Sequence, residues 1–96
     1  MNKEVTEEKL KRYFSITKEA LDMATKADKR TDMKSEAADF LDMASRYYSD
    51  AQHFKDNNDF ILAFAALNYA HGWLDAGARI GLFKVKDSRL FTVDDE

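Results

Sequence analysis

Apolar residues recur three and four positions apart through three stretches of this chain, and the last stretch is apolar almost all round. Within residues 60–83, Phe60, Ala63, Phe64, Leu67, Ala70, Leu74, Gly77 and Ala78 fall on one face of a helix. Leu62, Ala66, Tyr69, Trp73, Ala76 and Ile80 make a second apolar face beside it. A helix of this kind needs cover on two sides, which predicts that it is the central element. Only one narrow strip is polar: Asn68, His71, Asp75 and Arg79, with Ile61 and Ala65 continuing the same direction upstream.

Two amphipathic stretches precede it. The first predicts a helix over about 6–28, with Leu10, Tyr13, Phe14, Thr17, Ala20, Leu21 and Ala24 on its inner face. Thr6 suits its N-cap, Glu7 and Glu8 suit the first turn of the helix dipole, and Val5 and Leu10 have staple spacing. Its outer face is laced with pairs four apart, Lys18 and Asp22 among them, as on a solvated surface. The second helix is expected over about 33–56, with Ala37, Phe40, Leu41, Ala44, Tyr47, Tyr48, Ala51 and Phe54 inward. Thr31 or Asp32 is the expected cap, and Lys29, Arg30 and Lys34 form a small basic cluster in a solvated loop.

The break at 55–59 is the clearest in the chain: Asn57 or Asn58 can take the left-handed conformation, and Asp59 can cap a third helix over about 60–80. A connection that short makes its two helices antiparallel neighbours. The predicted fold is therefore all-α: one domain over 1–96, an antiparallel up-down-up three-helix bundle with a short extended C-terminal tail over 84–96. In that tail, Leu90, Phe91 and Val93 are expected to pack into a groove of their own bundle. Gly81 suits the left-handed C′ position, with Leu82 folding back. Gly72 and Gly77 lie inside the third helix, where each costs about 1 kcal/mol relative to alanine. Close approach of a neighbouring helix at Gly72, Ala76 and Gly77 is the expected compensation.

Composition narrows the chemistry. Cysteine is absent, which removes disulfides, thiol catalysis and cysteine metal sites and suits a reducing cytoplasm. The longest apolar run, 60–67, is far short of a membrane span, and the charged start carries no signal-peptide core. The net charge of −3 divides as +2 over 1–34, −4 over 35–59 and −1 over 60–96. No strong basic patch marks a nucleic-acid binder.

The polar strip is the main candidate site. His71, Asp75 and Arg79 are successively four apart, so Asp75 could orient His71 and pair with Arg79, and with Asn68 the set could hold an anion or a small polar ligand. The same strip would equally serve as bundle surface or as a protein-interaction patch. Two histidines and no cysteines fall short of a metal site. Arg46 and His53, separated by six residues, resemble the arginine–histidine motif of the higher eukaryote and prokaryote nucleotide-binding RNases; this is the enzyme alternative. No phosphate loop, nucleophile elbow or zinc-protease motif is present, and nothing calls for a cofactor or assigns a catalytic residue.

The string at 64–83, FAALNYAHGWLDAGARIGLF, resembles the most recognisable segment of the archaeal family called domain of unknown function 357, and the ending at 90–93, LFTV, is similar to that family's C-terminus. The resemblance implies a compact three-helix bundle in a cytoplasmic archaeal protein and implies no activity. The leading functional reading is a non-enzymatic protein-interaction module whose partner is a protein, self-association included, with no membrane or nucleic acid. The alternatives are a small-ligand or anion-binding protein, or an RNA-cleaving helical bundle. If the third helix is central, Leu67→Ala should cost about 2–5 kcal/mol in denaturant unfolding; a loss well below that range would place the core elsewhere.

Overall fold

In the computed structural model, which describes residues 4–93, three helices follow one another: α1 Glu7–Lys26, α2 Lys34–Asp56 and α3 Phe60–Arg79. They form an all-α, up-down-up bundle in which α3 packs chiefly on α2 and less on α1, while α1 and α2 touch little. Residues 1–3 and the acidic ending at 94–96 lie outside the described residues.

Local chemistry sets the helix ends. The Thr6 side chain accepts from the Lys9 N–H at 3.1 Å, and Asp59 accepts from the Leu62 N–H at 3.1 Å. Asn58 (φ 59°) and Gly81 (φ 77°) take the left-handed conformation at the ends of α2 and α3. After Gly81 the Leu82 N–H returns to the Gly77 carbonyl at 2.8 Å, a helix-ending turn that sends the chain back along the bundle. The start of α2 departs from expectation. Met33 occupies the cap position without a side-chain bond, because Asp32 turns instead to Arg30 at 2.9 Å.

The α2–α3 contact is an alanine seam. Ala37, Ala44 and Ala51 are seven apart, two turns of helix each, and all are fully buried. Ala51 packs with Ala63, Ala66 and Leu67; Ala37 and Ala44 pack with Leu74 and Ala78. The larger members of the α2 inner face stand at the edges of this seam, half-buried and paired ring to ring. Phe40 meets Trp73 edge-on at 4.9 Å, Phe14 meets Tyr48 at 5.6 Å, and Tyr47 stacks on Tyr69 at 5.1 Å.

The tail is part of the core. Leu82, Phe83, Leu90 and Phe91 are buried with Ala20, Leu21 and Ala24 of α1. Residues 28–30 of the α1–α2 loop pair with 82–84: the Arg30 N–H donates to the Leu82 carbonyl and the Lys84 N–H to the Asp28 carbonyl, each at 2.9 Å. The tail is not extended throughout. It turns over 87–91, where the Leu90 and Phe91 N–H groups both bond to the Asp87 carbonyl.

The two helical glycines divide sharply. A Cβ at Gly77 would sit 2.2 Å from the Phe83 ring, so the missing side chain is what lets that ring lie fully buried on α3. Gly72 has no atom within 4 Å of a Cβ, so no neighbouring helix approaches it and the expected close packing is absent there. Gly77→Ala should therefore lose about 1–3 kcal/mol through overpacking. Gly72→Ala should gain up to about 1 kcal/mol from helix propensity. Denaturant unfolding of both variants in dilute solution checks the opposite signs.

Candidate functional site

The four strip residues stand in two different environments. Asn68 and Arg79 are exposed, and His71 and Asp75 are half-buried beneath the tail. Among the described residues no ion pair joins Asp75 to Arg79. The tail has claimed the acid instead: Asp75 Oδ1 accepts the Thr92 N–H at 2.8 Å.

His71 is held at both nitrogens. Nε2 lies 2.5 Å from the Leu90 carbonyl, and Nδ1 lies 3.2 Å from the hydroxyl of Thr17 on α1. A carbonyl only accepts, so Nε2 carries the hydrogen, and in the neutral ring Nδ1 accepts from Thr17. Thr17 is itself buried, and the imidazole gives its hydroxyl a partner that the apolar face of α1 lacks. The ring thus ties α1, α3 and the tail together. Neither Thr17 nor Leu90 was legible as its partner. The one signal was a small polar side chain on the apolar face of α1.

Around this latch, Tyr13, Ile16, Asn68, Asp75 and Arg89 border a shallow cavity of about 400 Å³. Arg89 is committed to the chain: it bonds Glu19 at 2.5 Å and Asp87 at 3.3 Å. Its hydrogen bonds to Glu19 and then to Asp87 hold the guanidinium above its ordinary pKa. Two members of the basic cluster of the first loop are likewise engaged. Lys29 Nζ turns back to the carbonyls of Thr25 and Ala27, and Arg30 reaches Asp32 and the Ile80 carbonyl.

The Arg46–His53 pair sits on the exposed side of α2. Arg46 bonds Asp42 at 2.9 Å, and His53 lies 3.3 Å from the Asn57 amide, so each is engaged within its own helix. Among the described residues, no group of three histidine or carboxylate side chains is placed to hold a metal ion.

A further concavity lies along the outer side of α3. A groove of about 640 Å³ is lined by Phe40, Ala65, Tyr69, Gly72, Trp73 and Ala76, with Asn68 at its edge. The expectation that α3 is covered on two sides fails here. Ala66 is buried and Trp73 half-buried, but Leu62, Tyr69, Ala76 and Ile80 of its second apolar face are exposed. The physical reason is that α1, α2 and the tail together enclose only the side of α3 that carries Ala63, Leu67, Ala70 and Leu74. No helix among the described residues is long and apolar enough to cross a membrane.

Compared with known proteins, residues 12–83 match the model of a family described as protein of unknown function (DUF357). No curated protein and no solved structure matches the chain. If the latch holds the tail, His71→Ala should leave Thr17 and the Leu90 carbonyl unpartnered at a cost of about 1–3 kcal/mol. Limited trypsin digestion should then cut after Arg89 sooner than in wild type. Unchanged stability and digestion would show that the tail is held by its apolar residues alone.

Proposed function

We propose, for a chain that belongs to the DUF357 family of unknown function, that it is a non-enzymatic protein-interaction module of the cytoplasm. The observation that carries this reading is the uncovered outer face of α3. Ile61 is 73% exposed, Tyr69 64% and Leu62 46%, all on the most apolar helix of the chain, and Ile80 at its C-cap is 51% exposed. They flank a groove walled by Phe40 and Trp73. Contiguous apolar surface of this kind on a soluble bundle marks an interaction site. Tyrosine and tryptophan at its centre supply the rigid, half-polar contact area that protein interfaces favour.

Charge supports a protein partner over nucleic acid. The chain carries −3 overall, and the only cation on α3 is Arg79, at the end of the helix. The lack of cysteine suits a reducing compartment. A small-ligand role for Asn68, His71, Asp75 and Arg79 has weaker support, because a ligand at His71 and Asp75 would have to displace the Leu90 carbonyl and the Thr92 N–H.

The test is capture by the full chain against an Ile61→Ser, Tyr69→Ser variant. Both replaced side chains are exposed and the one ring pair lost is Tyr47–Tyr69, so circular dichroism should match wild type and stability should fall by no more than about 0.5–1.5 kcal/mol. Proteins retained by wild type should be lost by at least ten-fold in the folded variant. Equal retention by both would remove the α3 face as the interaction surface.

A further inference from the structure

We propose that the occupant of the α3 face is a second copy of this chain, packed antiparallel about a two-fold axis passing between Ala70 and His71. This rests on the reading of that face as an interaction surface and goes on to name the partner. The argument is a symmetry within the face. Its exposed ridge runs Ile61, Ala65, Tyr69, Gly72, Ala76, Ile80, spaced four, four, three, four and four. Read in either direction the order of sizes is the same at four of the six positions: a branched side chain at each end, then an alanine. At the centre a ring stands beside a gap.

A two-fold interface uses one patch twice, so residue i meets j while j meets i. Two antiparallel copies of α3 in this register place each Tyr69 opposite the other copy's Gly72, each Ala65 opposite Ala76 and each Ile61 opposite Ile80. The central pair is complementary. The Tyr69 ring stands out from the surface, braced by stacking on Tyr47 at 5.1 Å. Gly72 offers open space, and the groove beside it presents the Trp73 and Phe40 rings to an incoming aromatic edge. The alanines permit helix axes to approach to about 8 Å, and the isoleucines close the two ends.

A parallel pair would set ring against ring and gap against gap. Within α3 itself the antiparallel register also sets no like charges opposite one another. The two ionised residues of α3 are Asp75, turned to Thr92, and Arg79, which falls opposite Leu62 at the rim, where its stem can cover apolar surface while its head stays in water. Gly72 thereby acquires a reason: its helix cost is offset only when a second chain fills the space above it. One helix face, about 30 Å by 10 Å, is small beside the roughly 800 Å² per partner of standard interfaces. The association is therefore concentration-dependent.

The experiment uses the cysteine-free background of the full chain. An Ala65→Cys chain is mixed with an Ala76→Cys chain and oxidised. The mixed crosslink should exceed either self-crosslink by at least ten-fold. Two copies of position 65 lie roughly 16 Å apart along the axis at 1.5 Å per residue, beyond the about 4.4–6.8 Å Cα separation of a disulfide. In sedimentation, wild type should move from 11.1 kDa toward twice that mass as concentration rises. Gly72→Gln, whose Cβ meets no atom of the monomer within 4 Å, should fill the gap and stay monomeric with an equal or higher Tm in dilute solution. A wild type that stays at 11.1 kDa up to about 1 mM overturns the dimer, and the capture experiment then judges the interaction reading separately. A self-crosslink at 65 outpacing the mixed one, or a Gly72→Gln chain that dimerises like wild type, overturns the proposal as well.

Discussion

The seam of alanines between α2 and α3 is the constraint on which the rest of the structure depends. Ala37, Ala44 and Ala51 on one helix face Ala63, Ala66, Ala70 and Ala78 on the other, with Leu67 and Leu74 as the large side chains set between them. Small side chains let two backbones approach closely, and dispersion then acts over the whole length of both helices. The same choice deprives the core of bulk. The volume has to be restored from the flanks, which is why Phe14, Phe40, Tyr48 and Trp73 crowd the edges as ring pairs. It is also why the tail returns to supply Leu82, Phe83, Leu90 and Phe91 to the region between α1 and the seam.

That return organises the polar chemistry of the molecule. A tail segment brought against a helix carries carbonyl and N–H groups that need partners. His71 and Asp75 meet two of them, at Leu90 and Thr92, and Thr17 completes the set from α1. Half of the polar strip on α3 is in this way explained by the tail, and the other half, Asn68 and Arg79, stays on the surface. What lies between them and the α2 edge is apolar and open, and on a face so free of charge the interaction reading rests on packing surface rather than on reactive groups.

The features legible in the amino-acid order were those set by short-range rules. Thr6, Asp59, Asn58 and Gly81 each do what their residue type and immediate neighbours dictate, and the apolar spacing located all three helices. The partners of His71 were illegible because they lie 54 and 19 residues away, on elements whose placement depends on the whole packing. The same holds for the glycines. Gly72 and Gly77 look equivalent in a helical pattern; only the position of the Phe83 ring separates them, and that position follows from a turn at Gly81 and a pairing with residues 28–30. The second face of α3 was misjudged for a related reason. An apolar pattern specifies that a face will be covered, but not by which chain.

The ring of Phe83 on the bare backbone of Gly77 has a consequence for how this sequence can change over time. With 2.2 Å between the ring and a would-be Cβ, a side chain at 77 enters only by displacing the ring at 83. Two positions six apart in the chain are thus one heritable unit. A lineage that trades the phenylalanine for a smaller residue frees position 77 to become alanine, and a lineage that keeps the ring keeps the glycine, whatever happens elsewhere along α3.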